Sequence, residues 1–276
     1  MDDITTLKKK ADEMRCNVLR MLHHAKSGHA GGALGMADIL TVLYYRYLRH
    51  DPTHPDWEER DRFLLSNGHT SPMLYAILAD QRYFPDEEIW KLRRLGGMLQ
   101  GHPSTVWELP GIEVSSGSLG NGLSVAVGMA LAAKLDQKGY RVFCQISDAE
   151  CQAGQPWEAA TAAVHYRLDN LCVFLDWNHC QIDGHTEDVM DVGDLAAKWA
   201  AFGWQVHEID GHNYDEIITA FDSFERAGGS DKPTLFAAHT ILGKGVSFME
   251  DDHNWHHGAP NDAQLKEALA ALHADR

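Results

Sequence analysis

Residues 147–184 read SDAECQAGQPWEAATAAVHYRLDNLCVFLDWNHCQIDG, and this stretch decides the fold. Asp148 follows the apolar segment 141–146, and Asn178 follows the next apolar segment, 171–175. Each apolar run has the length of a buried strand, and a helix-like run separates the two. Because the carboxyl ends of parallel strands meet at one edge of a sheet, where open α/β sheets bind ligands, we expect both side chains at that edge.

Asp148 and Asn178 carry oxygen atoms that suit a hard divalent cation. Mg²⁺ prefers near-octahedral oxygen ligation and commonly takes one or two protein groups together with the oxygens of a phosphorylated ligand. Asp148 offers a charged oxygen, Asn178 a neutral carbonyl, and the backbone of Cys180 a third oxygen. The pattern predicts a metal site at these three residues for Mg²⁺, or for Ca²⁺ or Mn²⁺ in its place.

Helical and strand-like segments alternate over the carboxyl-terminal half of the chain. This alternation is typical of a mainly parallel sheet covered by helices on both faces, so we expect an α/β fold with three layers, αβα. Apolar spacing in the first half predicts an N-terminal helical extension. No repeat or linker divides the chain, which predicts one domain over residues 1–276. The predicted strands are 140–146, 171–176, 204–209 and 234–240, and the predicted helices are 1–25, 37–48, 72–80, 86–95, 123–137, 156–166, 195–202, 214–226 and 262–274.

Composition and charge argue against several classes of protein. A chain of 276 residues, 44% of them hydrophobic, can bury a full core, and no segment reaches the roughly 20 apolar residues that span a bilayer. The net charge of −16, spread along the chain, argues against nucleic acid as a partner. The first residues lack the pattern of a signal peptide, which predicts a cytoplasmic protein with no membrane partner. Five cysteines without a paired spacing predict free thiols and neither disulfides nor zinc.

The stretch 147–184 resembles the metal and thiamine diphosphate motif of the transketolase family. In that family a Gly-Asp-Gly is followed by an Asn after the next strand, whereas here Ser147 and Ala149 replace both glycines. Other family motifs occur in order along nearly the whole chain. They lie at residues 27–29 (SGH), 35–38 (GMAD), 61–69 (DRFLLSNGH), 101–103 (GHP), 117–122 (GSLGNG), 157–159 (WEA), 181–184 (QIDG) and 243–250 (GKGVSFME).

The resemblance implies a diphosphate-binding (PP) domain with thiamine diphosphate and Mg²⁺ as cofactors. It implies that Asp148, Asn178 and the Cys180 carbonyl hold the metal. The alanine at position 149 adds a methyl group to the family glycine, which is costly only if its φ is positive. The cofactor-binding residues that the resemblance implies are His69, Gly117, Ser118, Leu119, Asp148, Ala149, Glu150, Asn178 and His256.

The resemblance also implies catalytic histidines. His29, His69 and His102 match family histidines that line the substrate channel, where an imidazole can exchange protons with substrate oxygens. Trp255-His256 matches the pattern of split subunits, and His257 matches the single-chain pattern, so His256 and His257 are both candidates.

Glu158 matches a family glutamate near the interface between subunits that relays protons between paired active sites. Its companion five residues earlier is Ala153 in this chain, so the relay is expected to be interrupted there. The other interpretation of Glu158 is a charge at the start of a helix.

The resemblance covers only the amino-terminal domain of transketolases. It implies a two-component enzyme whose second chain carries the pyrimidine-binding domain and the activating glutamate, assembled as a heterotetramer. The implied reaction transfers a two-carbon ketol unit from a ketose, ordinarily a sugar phosphate, to an acceptor.

Three alternatives remain open from the sequence. The first is a specialised acceptor, either a modified sugar or the thiol of an acyl carrier protein. The second is a related thiamine enzyme, such as a deoxyxylulose phosphate synthase or a dehydrogenase E1 component. The third is a noncatalytic scaffold subunit, to which the loss of the family residues at Ser147, Ala149 and Ala153 would point.

Overall fold

The computed structural model describes residues 3–274, so the ends of the predicted domain 1–276 lie outside the described residues. Seven strands are present within this range: β1 Arg62–Leu65, β2 Val142–Ser147, β3 Leu171–Trp177, β4 Cys180–Gln181, β5 Gly184–His185, β6 Gln205–Asp210 and β7 Thr234–His239. Five of them form a parallel sheet in the order β1-β2-β3-β7-β6. The other two, β4 and β5, pair as a short antiparallel hairpin.

Ten α-helices accompany these strands among the described residues. They are α1 Ile4–Ala25, α2 Gly31–Gly35, α3 Ala37–Val42, α4 Ser71–Asp80, α5 Asn121–Leu135, α6 Gln155–His165, α7 Thr186–Met190, α8 Leu195–Ala201, α9 Tyr214–Arg226 and α10 Asp262–Ala274. Within residues 3–274, no helix combines the length and apolar character needed to cross a membrane. All five cysteines are buried free thiols.

The sheet is buried on both faces because its side chains alternate between two hydrophobic cores. On one face Phe143, Phe174 and Phe236 pack against α1, α3, α4 and α9. On the other face Val173 and Leu235 pack against α5, α6 and α8. The predicted three-layer αβα fold with a parallel sheet is confirmed, and the N-terminal helices are an integral part of one helical layer.

A buried ion pair joins the N-terminal helices to the sheet. Asp38 on α3 accepts hydrogen bonds from Arg15 on α1 at 2.6 Å, from His212 at 2.7 Å and from the hydroxyl group of Tyr214 at 2.7 Å. Arg15 and Asp38 are both about 4% exposed. Burial opposes ionisation, but the charge of Arg15 and the hydrogen bond from His212 hold the pKa of Asp38 below its ordinary value.

The structure differs from the predicted elements in several places. Helices α2 and α7 and the hairpin of β4 and β5 are absent from the prediction. Strand β1 was not predicted, because a run of four residues is too short to show a period and its place is fixed by pairing with β2. The predicted helix 86–95 is only a 3₁₀ segment, Asp86–Lys91, in which Ile89 alone is buried, so no apolar stripe supports a longer helix. The predicted helix 37–48 becomes a π-helical turn at Leu43–Tyr47, after which Tyr47 stacks on Phe221 of α9.

We predict that Asp38→Asn destabilises the protein by about 3 kcal/mol at neutral pH, because it leaves the buried Arg15 guanidinium only the half-buried Asp12 carboxylate, at 3.1 Å, as a counter-charge. The loss should shrink as the pH falls below 3.8, the ordinary pKa of the carboxyl group. Below that pH the unfolded state binds a proton while folded Asp38 stays ionised, so the stability that Asp38 provides decreases. Chemical denaturation of both proteins across this pH range measures the difference.

The matched control is Asp262→Asn, which breaks the exposed pair between His23 and Asp262. Its denaturation midpoint should stay near that of the wild type, because exposed ion pairs contribute little. Equal losses for the two variants would contradict the role assigned to Asp38.

Candidate active site

A cavity of about 330 Å³ opens at the carboxyl edge of the sheet, where β2, β3 and the segment after β1 end. This is the edge at which the sequence placed the ligand site. The residues that line the cavity come from widely separated parts of the chain: His29, Gly32, Asn67, His69, His102, Gly117, Leu119, Ser147, Ala149, Gln152, Asp176, Asn178, Cys180, Gln181, Ile182, Leu242 and His256.

Two buried carboxylates, Asp148 and Asp176, lie at the ends of β2 and β3, and Asp176 lines the cavity. Asp148 accepts hydrogen bonds from the backbone N–H groups of Ala149 at 2.8 Å and His179 at 2.9 Å. Asp176 accepts hydrogen bonds from Thr240 and from the side-chain amide of Asn178. Both aspartates are at most 1% exposed.

The environment of these carboxylates fits a divalent cation. Burial, with the neighbouring charge of Asp176, raises the pKa of Asp148 to about 7, and burial raises the pKa of Asp176 to about 7. Among the described residues, neither carboxylate forms an ion pair with a Lys, Arg or His side chain. A cation bound by oxygen ligands would supply the missing positive charge, so the residues present suit Mg²⁺.

Asn178 and Cys180 hold the turn that follows β3. The Asn178 side-chain oxygen accepts the Cys180 backbone N–H at 2.9 Å, and both residues are buried and line the cavity. The three residues predicted as metal ligands, Asp148, Asn178 and Cys180, therefore lie together at one edge of the sheet. Their roles as ligands remain a prediction.

Glu150 joins three segments of the site through one buried carboxylate. One oxygen accepts hydrogen bonds from the Ser66 hydroxyl and from the Gly120 N–H at 2.7 Å, and the other accepts the Ser147 N–H at 2.9 Å. Ser66 in turn accepts the Gly122 N–H at 3.1 Å. Glu150 does not line the cavity, so its side chain positions the loop, and its contact with a cofactor remains a prediction.

The glycine-rich loop before α5 runs along the cavity with Gly117 and Leu119 in its lining. Gly117 has φ 138°, and a Cβ atom there would lie 2.9 Å from His102 Cδ2. Only glycine fits at this position, which leaves its backbone N–H free of a neighbouring side chain. Ser118 lies beside it in the same loop.

Five imidazoles gather at the same cavity. The His29 ring centroid lies 5.1 Å from that of His69, 6.1 Å from His102, 5.8 Å from His256 and 4.8 Å from His257. His69 and His256 are 4.9 Å apart. The structure thus brings together all five histidines that the sequence singled out. His256 lines the cavity, and the more exposed His257 stands beside His29.

Burial favours the neutral form of four of these histidines. It lowers the pKa of His69 to about 3, with further contributions from the charges of His256 and His102. Burial and the neighbouring imidazoles also lower the pKa of His29 to about 2, and burial lowers that of His102 and His256. A neutral imidazole can accept a proton at one nitrogen and donate from the other, which is what proton exchange with a substrate requires.

Ala149 and Glu158 mark two departures from the family pattern. Ala149 replaces a family glycine, and Glu158 lacks its usual companion because position 153 is alanine. Ala149 has a negative φ and begins a short 3₁₀ helix, so its methyl group causes no backbone strain where the family has glycine. Glu158 is exposed in the first turn of α6 and does not line the cavity. Its role in a proton relay remains a prediction.

Sequence reasoning missed two polar residues of the cavity. Asp176 ends β3 two residues before Asn178, a strand-end position like that of Asp148, which is a signal that could have identified it. Asn67 accepts a hydrogen bond from Gln145, while its own side-chain NH₂ group and His29 Nδ1 are buried without a partner. Such unpaired polar atoms suit a polar ligand in the cavity.

The comparisons with known proteins agree with this geometry. A family model described as the thiamine diphosphate binding domain of transketolase matches residues 6–274. The chain belongs to the transketolase family. It is 41% identical to one subunit of the apulose-4-phosphate transketolase of Phocaeicola vulgatus, over 96% of this chain and 93% of that protein. It is 43% identical to the 6-deoxy-6-sulfo-D-fructose transketolase subunit SqwG of a Clostridium species, over 96% of each chain.

Solved transketolases have the same fold over part of their length. The transketolase of Campylobacter jejuni superposes with a TM-score of 0.91 at 32% identity, over 99% of this chain and 43% of that one. The transketolase of Leishmania mexicana also gives 0.91, at 28% identity, over 97% of this chain and 41% of that one. The chain thus spans about two-fifths of the length of these solved transketolases.

We predict that Glu150→Gln destabilises the protein by about 1–3 kcal/mol, because an amide has one acceptor oxygen for three donors and leaves a buried N–H unpaired. Chemical denaturation measures the loss, and amide hydrogen exchange at Gly120 and Ser147 should become faster. The same substitution at the exposed Glu87 is the control and should change stability by less than about 0.5 kcal/mol. Unchanged exchange at both amides would contradict the positioning role.

Proposed function

We propose that this chain is the thiamine diphosphate-binding subunit of a two-component transketolase. The observation that carries the proposal is that one cavity is lined both by oxygen-bearing residues at the end of β3, Asp176 and Asn178, and by His29, His69, His102 and His256. The reaction would be the transfer of a two-carbon ketol unit from a ketose to an acceptor. The family supports this reaction over the synthase and E1 alternatives.

The oxygen atoms at the ends of β2 and β3 would bind Mg²⁺, with Ca²⁺ or Mn²⁺ as substitutes. Asp148, Asn178 and the Cys180 carbonyl are the proposed protein ligands, and Asp176 holds Asn178 in place through its 3.1 Å hydrogen bond. Oxygen ligands at a strand end suit a cation that also binds a diphosphate. The loop at Gly117, Ser118 and Leu119, with Ala149, would contact the diphosphate through the backbone.

Thiamine diphosphate, when bound, supplies an electron sink for the cleavage and formation of a carbon–carbon bond. The residues of this chain bind and orient it and exchange protons with the substrate. His29, His69, His102 and His256 are neutral, so each can take a proton from a substrate hydroxyl group and return it to a carbonyl oxygen. Burial of this cluster excludes water from that exchange.

A second chain is proposed to complete the site. Two relatives of similar length are named as transketolase subunits, and the chain spans about two-fifths of the solved transketolases. The partner would carry the pyrimidine-binding domain and the activating glutamate, in a cytoplasmic heterotetramer. Exposed apolar side chains at the cavity rim, Leu119 at 43% and Ile182 at 60%, suit contact with such a partner.

The names of these relatives bear on the substrate. One is named for apulose-4-phosphate and another for 6-deoxy-6-sulfo-D-fructose. We propose a ketose that carries an anionic group, either a phosphate or a sulfonate, as the donor class. A modified sugar is thus favoured over a carrier-protein thiol.

The deciding experiment is calorimetric titration of thiamine diphosphate with Mg²⁺ into this chain mixed with its C-terminal partner. Binding should require both chains and Mg²⁺, and Asp148→Ala should abolish it because a charged ligand of the metal is lost. The control Asp136→Ala removes an exposed aspartate at the end of α5 and should bind like the wild type. Equal binding by Asp148→Ala, or no binding by the wild-type mixture, would overturn the proposal.

We further predict that His256 matters more to turnover than His257, because His256 lines the cavity and His257 is more exposed. In the assembled enzyme His256→Ala should lower kcat/KM by about 10²-fold or more, the usual contribution of a group that transfers protons. His257→Ala should cause a clearly smaller loss. Steady-state kinetics with a ketose phosphate donor measure both, and the reverse order would assign the role to His257.

A further inference from the structure

Three side chains that commonly bind metals converge at the cavity rim, apart from the histidine cluster. Cys180 Sγ lies 3.6 Å from His185 Nδ1 and 3.8 Å from Asp251 Oδ1, and His185 Nδ1 lies 3.9 Å from Asp251 Oδ1. Their ligand atoms all lie within 4.8 Å of one another. Within residues 3–274, no other group of three or more His, Cys, Asp and Glu side chains is this compact.

The backbone fixes two of these side chains as neighbours. Cys180 in β4 and His185 in β5 are directly paired across the antiparallel hairpin, so both side chains point to the same face of it. Asp251 comes from a different loop and has a left-handed backbone, φ 56°, which is uncommon for a residue other than glycine. Its N–H donates to the Leu242 carbonyl at 3.0 Å and so holds it in this conformation.

The distances match the edges of a tetrahedral metal site. Zinc binds sulfur at about 2.3 Å and nitrogen or oxygen at about 2.0–2.2 Å, which puts neighbouring ligand atoms about 3.3–3.6 Å apart. The observed separations exceed these values by a few tenths of an ångström. An ion could therefore bind with small shifts of the exposed Asp251 side chain, which is 72% accessible.

We propose that Cys180, His185 and Asp251 bind a zinc ion, with water as the fourth ligand. Sulfur, imidazole and carboxylate together suit Zn²⁺, whereas Mg²⁺ prefers oxygen ligands alone. As the zinc–sulfur bond forms, the thiol proton is released to solvent. Cysteine spacing gave no sign of this site, because its third ligand comes from a distant loop.

Cys180 would then serve two different cations. Its backbone carbonyl is a proposed ligand of the hard metal in the cavity, and its thiolate would bind the soft metal at the rim. The zinc ion would join the β4-β5 hairpin to the loop at Asp251, five residues before His256. One ion would thus hold the hairpin and this loop in place beside the cavity, whether or not thiamine diphosphate is present.

The test uses Co²⁺ as a spectroscopic substitute for zinc in the full chain after treatment with a chelator. Stoichiometric Co²⁺ should give the near-ultraviolet thiolate-to-cobalt charge-transfer band, and Zn²⁺ should displace it while excess Mg²⁺ should not. Cys180→Ser should abolish the band. His185→Ala and Asp251→Asn should each weaken Co²⁺ binding at least tenfold, since loss of even an outer-shell partner commonly costs 10–100-fold.

The matched control is Asp183→Asn, which removes an exposed carboxylate from the turn of the same hairpin and should bind Co²⁺ like the wild type. X-ray absorption of the zinc-loaded wild type, which needs no variant to fold, should show one sulfur ligand. Ligation by nitrogen and oxygen alone would place the ion on the histidine cluster and overturn the proposal. A charge-transfer band that persists in Cys180→Ser, or full affinity in both His185→Ala and Asp251→Asn, would overturn it as well.

Discussion

The carboxylate of Glu150 is the constraint on which the cavity depends. It holds the end of β2 through Ser147, the segment after β1 through Ser66 and the start of α5 through Gly120. Burial raises its pKa, while three donors favour its ionised form. The end of β2 and the glycine loop before α5 keep their separation because both are hydrogen-bonded to this one carboxylate. A residue that touches no ligand can thus decide where a ligand binds.

Charge is divided unevenly over the cavity. The lining holds the buried carboxylate of Asp176 and four histidines, and its described residues include neither Lys nor Arg. In a chain with a net charge of −16, the proposed metal ion and backbone N–H groups would meet an anionic ligand there. Arg93, outside the lining, is a cation close enough to His29 and His102 to lower their pKa values. The partner chain would supply any further positive charge for a phosphate or sulfonate.

Much of the fold followed from local pattern, since buried strands and amphipathic helices alternate clearly after residue 120. The residues around Asp148 and Asn178 lie together because parallel strands end at a shared edge. The five histidines, to which the family resemblance pointed, are also brought together, and their roles stay a prediction. Strand β1 could not be predicted from the sequence, because its four residues are held extended by their pairing with β2. Glu150 is predicted as a cofactor contact, but sequence gives position and not direction, so its bonds to Ser66 and Gly120 could not be foreseen. Asp251 could not be paired with Cys180 because nothing local links a loop to a hairpin.

The bonds to Glu150 also bear on how the protein folds. Ser66 and Glu150 are 84 residues apart in the chain, and Gly120 and Glu150 are 30 apart. Closing such long loops costs entropy, and contacts of this range are typical of slow, late steps in folding. Until residue 150 has been synthesised, the nascent chain cannot form the bonds to Glu150 that hold the cavity together. Thiamine diphosphate can therefore stabilise the finished domain by binding it, but it cannot template the early stages of its folding.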